Sequence, residues 1–202
     1  IKSLQTDIDQ VDINISFNNY SKLVYTRDLA LKIGHKYRNH PKNPGYVKAN
    51  ISYNGKQMKG KMRLKGGQSD HWGHKYKWSF KVKLSDNYKI DGMKKFALQH
   101  PQTRGFMSEW IFHSFLKFNG LIGLRYKFVR LSLNGKDYGI YAIEENMDKY
   151  LIENNNRRNG VIVGFKNDLI WDHNPFLINQ FFHAEIYPCL LYTSPSPRDF
   201  QV

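Results

Sequence analysis

Cysteine is almost absent: Cys189 is the only one among 202 residues, so an intrachain disulfide framework is excluded. No apolar run reaches the ~18 residues that a membrane-spanning helix needs, and no repeat of solenoid period occurs. Acidic residues are scarce, with 17 Asp and Glu against 31 Lys and Arg, which leaves a net charge of +14. Such a field favours polyanionic partners: nucleic acid, nucleotide phosphates, acidic proteins or anionic surfaces. What is present is 41% hydrophobic and 15% aromatic residues, enough for one core of ordinary domain size. The chain opens on Ile1 without an initiator Met or a signal peptide, and its true N-terminus is expected upstream.

The basic residues are unevenly spread. Between Lys56 and Lys95 there are twelve Lys or Arg against Asp70, Asp86 and Asp91, a local net charge of +9. This is either a solvated sheet face whose lysines keep strand edges soluble or a surface that binds phosphate.

Hydrophobic period supplies the organisation. "YVKANISYNGKQMKGKMRLKGG" reads as two strands joined at Asn54-Gly55, a dipeptide suited to the positive φ angles of a type I′ turn. In "KWSFKVKL", Trp78, Phe80, Val82 and Leu84 point one way while Lys77, Ser79, Lys81 and Lys83 point the other. After the short extended segment "GMKKFALQHP", Met107, Trp110, Ile111, Phe115 and Phe118 recur at helical spacing, and Asn119-Gly120 stops the helix. "YKFVRLSLNGKDYGIYAIEE" predicts a second strand pair turning at Asn134-Gly135, followed by a short polar helix opened by Asp148. An earlier helix, "NNYSKLVYTRDLALKIG", ends at Gly34.

Glu109 is chemically out of place in the central helix, among Phe106, Trp110, Ile111 and Phe112. A buried carboxylate needs a partner, and the preceding strand offers Lys77 and Lys81. A strand Lys paired with a helix Glu is how protein kinases position ATP phosphates; the alternative is a Glu109 that emerges at the helix end. His113, one turn later, reads as a structural histidine.

"RLKGG" from Arg63, "KWSFKVKL" from Lys77, "GMKKFALQHP" from Gly92, "EW" at Glu109, "GLIGLRYKFVRLSLNG" from Gly120 and "GIYAIEE" from Gly139 together resemble the CotH kinase family, named for a bacterial spore-coat protein. The resemblance spans roughly 46–165. It implies an α+β fold: a protein-kinase-like small lobe, with an antiparallel sheet and one packed helix, plus the start of a truncated large lobe. It further implies ATP with Mg²⁺ or Mn²⁺ as cofactors and a protein substrate, and so a spore-coat or cell-envelope setting. The strand order read from periodicity is also that of a kinase small lobe.

Carried over position by position, the resemblance gives Lys77 to the nucleotide phosphates, with Lys81 as the alternative and Glu109 orienting that lysine. Glu144 and Glu145, in the segment 143–146, fall at the hinge beside the adenine. Arg63 either touches phosphate or is a structural arginine at a hairpin end. No Gly-x-Gly-x-x-Gly loop precedes the lysine strand, and neither His-Arg-Asp nor Asp-Phe-Gly occurs. Asp168, Asp172 and Asn174 read as a polar loop, so no metal ligand is assigned and residues 1–188 alone are not expected to transfer phosphate. A second reading is a non-catalytic binding or structural module that uses a basic face for acidic partners. Nucleic acid ranks behind both, because the aromatics alternate with Lys in a core-forming pattern and make no stacking platform.

The expected division is a helical segment at 1–45, an incomplete kinase-like domain at 46–188, and a non-native tail at 189–202. Within that tail "CLLYTSPSPRD" resembles a translated sequencing-library adaptor; the alternative is a Ser/Pro-rich linker.

Overall fold

The computed structural model describes residues 8–34, 36, 42–158, 160–166 and 183–187. The chain divides into two compact units, Ile1–Asn146 and Met147–Val202. Asp168, Asp172, Asn174 and the 189–202 tail lie outside the described residues.

The first unit is built on seven strands: β1 (Gln10–Asn14), β2 (Val47–Tyr53), β3 (Lys56–Leu64), β4 (Phe80–Leu84), β5 (Lys95–Gln99), β6 (Tyr126–Leu133) and β7 (Lys136–Glu145). They close into a barrel in the order β1-β2-β3-β4-β5-β7-β6. Every pairing is antiparallel except β1 with β6, which runs parallel and shuts the sheet. This corrects the expectation of a protein-kinase-like small lobe with an antiparallel sheet: the sheet is a closed barrel with one parallel pairing. The closing strand was not predicted: Val11 and Ile13 are its only apolar residues, too few to signal a strand, and both its partners come from distant parts of the chain.

Alternation fills the barrel. Met58, Met62 and Leu64 of β3, Phe80, Val82 and Leu84 of β4, Phe96 and Leu98 of β5, and Tyr141 and Ile143 of β7 lie in one buried cluster. Each such side chain contributes roughly 1.5–3 kcal/mol of burial. Both predicted hairpin turns form, with positive φ at Asn54 and Gly55 and at Asn134 and Gly135.

Helix α1 (Phe17–Ile33) is capped by Ser16, whose hydroxyl accepts from the Asn19 amide at 3.3 Å, and ends at Gly34 with φ 84°. Its Leu23 and Ala30 join the barrel core. Helix α2 (Ser108–Phe118) occupies the predicted span, but not the predicted setting. Its apolar face is exposed, with Phe115 61% and Phe118 90% accessible, and His113 is its one buried residue. The "packed helix" therefore rests on a polar contact surface. None of the described helices is long and apolar enough to cross a membrane.

The second unit contains α3 (Lys149–Asn154), whose cap Asp148 accepts from the Tyr150 amide at 3.1 Å. Its strands β8 (Ile162–Lys166) and β9 (His183–Tyr187) pair antiparallel.

Candidate functional site

Strand register determines which side chains share the outer face of the barrel. Since Met62, Leu64, Phe80, Val82, Phe96, Leu98 and Ile143 face inward, the intervening residues face outward. Across β3, β4, β5 and β7, Arg63, Lys81, Ala97 and Glu144 lie side by side in one row. The next row begins at Lys65, whose amide donates to the Ser79 carbonyl at 2.8 Å, and reaches Gln99 and Ala142.

Lys65 is the centre of this face. Its side chain is only 8% exposed, and its ammonium donates to Gln99 Oε1 and to Glu144 Oε2, the latter at 2.5 Å. Burial pushes the ammonium below its ordinary pKa, and the Glu144 carboxylate opposes that shift. The backbone locks the lysine's position: Gly66 follows it with φ +72°, and a Cβ there would lie 1.9 Å from His71 Cδ2, so only glycine fits.

Helix α2 completes the cluster from outside. Glu109 accepts from Gln99 Nε2 at 3.4 Å, pairs with Arg104 Nε at 3.1 Å and lies 3.8 Å from His113 Nε2. His113 Nδ1 accepts from the Leu124 amide at 3.3 Å, which leaves its proton on Nε2. Burial lowers the pKa of His113 and keeps it neutral. The Tyr126 hydroxyl is buried with no hydrogen-bond partner among the described residues, and burial, Glu109 and Glu144 all raise its pKa. Two carboxylates, one buried lysine and two polar atoms that make no hydrogen bond among the described residues, Tyr126 Oη and His113 Nε2, thus meet between the β5–β7–β6 face and α2.

The predicted residues divide. Arg63, Lys81, Glu144 and Glu109 come to this outer face. The Lys77–Glu109 pair does not form. Strand β4 begins only at Phe80, because the Lys77 amide donates to His74 Nδ1 at 2.9 Å, and the Lys77 ammonium lies 5.8 Å from the Tyr141 ring centre. Lys81 does not replace it: Glu109 is held by Arg104 and Gln99, with His113 Nε2 3.8 Å away. Arg63 donates to the Leu64 carbonyl at 3.1 Å and covers the Tyr46 ring at 5.2 Å. Glu145 has the opposite phase from Glu144; it is 2% exposed and is bound by the Arg125 guanidinium and, at 2.9 Å, the Arg125 amide. It is a structural anchor.

Sequence reasoning missed Lys65 as the lysine of the cluster, and missed Gln99 altogether. The available signal was parity: counting outward positions along β3 from Lys59 through Lys61 and Arg63 arrives at Lys65.

No curated protein matches the chain. A family model described as CotH kinase protein matches residues 62–182, a stretch that holds Lys65, Gln99, Glu109 and Glu144. Because that match takes in more than half of the 202 residues, the chain belongs to the CotH kinase protein family.

Proposed function

We propose that the outer face around Lys65 binds the phosphates of ATP, as the nucleotide-holding part of a kinase that transfers the γ-phosphate to protein hydroxyls. The observation that carries this reading is the buried Lys65 ammonium, fixed by Glu144 and Gln99 with Glu109 behind it. A lysine so held has a defined direction and keeps a donor for an anionic oxygen. Arg63 and Lys81 of the neighbouring row supply further positive charge on the same side. Glu109 acts on Lys65 through Gln99 and through the local field. Lys77 and Glu145 lie outside this arrangement and are the comparison positions.

Bound ATP supplies the phosphoryl group; the residues named here bind and orient. Among the described residues no group of three His, Cys, Asp or Glu could hold a metal ion, and no ligand for Mg²⁺ or Mn²⁺ is assigned among them. The spore-coat association of the family makes a coat or envelope protein the proposed substrate.

Binding of a fluorescent ATP analogue to the full chain tests the assignment. A charge-assisted phosphate contact is worth ~1.5–3 kcal/mol, so Lys65→Met weakens binding by about tenfold or more, while Lys77→Ala leaves it within about twofold. Wild-type affinity in a folded Lys65→Met protein overturns the assignment.

A further inference from the structure

The basic segment carries a second feature beside the Lys65 cluster. The registers of β2, β3, β4 and β5 place Lys48 opposite Lys61, Lys61 opposite Lys83, and Lys83 opposite Lys95. Four lysines therefore form one continuous row across four strands, with neighbours ~5 Å apart at strand spacing. Asn50 and Lys59 flank the row on one side, and Arg63 and Lys81 on the other. Among the described residues, no carboxylate pairs with Lys48, Lys59, Lys61, Lys83 or Lys95.

Like charges directly opposite each other destabilise a sheet. Lysines often guard exposed strand edges, but these strands lie inside a closed barrel and have no free edge. The row is thus a cost to folding that edge protection does not explain.

We propose that the outer face of β2–β5 is a docking surface for an extended acidic segment of a protein partner. Along a strand, residues on one face recur every ~6.6 Å, so alternate carboxylates of an extended acidic peptide match Lys59, Lys61 and Arg63 along β3. The row ends in a cleft of about 580 Å³ lined by Lys48, Lys59, Lys61, Asn19, Asn50 and Ser85, which gives the segment a concave seat. Single-stranded nucleic acid fits less well, because it binds by stacking on open aromatic rings. Tyr46 is a single ring beside these rows, with Lys61 5.5 Å and Arg63 5.2 Å from its centre, and it forms no run of stacking rings. The surface adjoins the Lys65 site through Arg63 and Lys81, and the variants that test it leave Lys65, Arg63 and Lys81 unchanged.

The experiment is fluorescence anisotropy with a labelled oligoglutamate peptide, full chain, at low and physiological salt. Binding is expected, falling steeply with salt. The variant K48Q/K61Q/K83Q/K95Q should bind about tenfold or more weakly, and should melt no lower than wild type because its like-charge contacts are gone. The variant K22Q/K32Q/K75Q/K136Q removes the same charge elsewhere and should lose much less. No binding at low salt, or equal losses in both variants, overturns the proposal. Tighter binding of oligothymidylate than of the peptide overturns the choice of occupant.

Discussion

Replacing Glu144 by Gln removes the carboxylate from a pair that is nearly dry on both sides, with side-chain exposures of 8% for Lys65 and 17% for Glu144. Breaking a buried pair by deleting one partner costs about 3–5 kcal/mol, because the remaining charge stays buried. Gln99 still accepts from Lys65, and Glu144 keeps some solvent access, so the expected loss lies at or below the lower end, about 2–3 kcal/mol. Lys65→Met removes the costly ammonium and leaves a carboxylate that can turn toward water, at about 1 kcal/mol. The double variant Lys65→Met/Glu144→Gln should lose no more than about 1 kcal/mol, for a coupling of about 2–4 kcal/mol. The sign with pH is also fixed. Since the folded pKa of Lys65 is lowered, the unfolded chain holds the proton more tightly, and the Glu144→Gln deficit shrinks as pH rises toward 10.5. Urea denaturation at two pH values measures all of these terms. A coupling below about 0.5 kcal/mol would refute the view that this pair is a buried, mutually dependent unit.

Two further predictions concern other residues. His71 is 5% exposed with its pKa lowered to about 3, chiefly by burial and secondarily by nearby Lys65. The unfolded state therefore takes up the proton first on acidification, and this residue alone should remove about 2 kcal/mol of stability between pH 7 and 5; an NMR resonance of His71 titrating near 6.5 contradicts this. On α2, Phe115→Ser/Phe118→Ser should change stability by no more than about 1 kcal/mol, against the 3–5 kcal/mol of a core phenylalanine. A loss of core size in urea denaturation would mean that the face is packed.

Local chemistry was legible and tertiary partnership was not. The turns at Asn54-Gly55 and Asn134-Gly135, the stop at Gly34 and the cap at Asp148 all follow from residues within a few positions of one another. Barrel closure depends on β1 meeting β2 and β6 at long sequence separation, and nothing in "QVDIN" declares a parallel partner. Helix α2 shows the same limit. Its apolar period located the helix, but the contact made is polar: Glu109 and His113 face Gln99 and the Leu124 amide, while Trp110, Ile111 and Phe115 remain exposed.

The lysine assignment shows where parity arguments stop. Lys77 and Lys81 share a phase, so alternation alone puts both on the outer face. Alternation holds only while the ladder continues, and His74 draws the Lys77 amide out of it at 2.9 Å. At the facing end of β3 the opposite happens. The ladder runs one residue past Leu64, because the Lys65 amide finds the Ser79 carbonyl at 2.8 Å, and Gly66 then turns the chain against His71. Lys65 thus keeps the outward phase that Lys77 loses, and the register from β3 through β4 and β5 to β7 brings it to Gln99 and Glu144. A lysine three residues before a strong strand was the visible signal; the one that reaches a carboxylate is set by the hydrogen bonds that begin and end the strands.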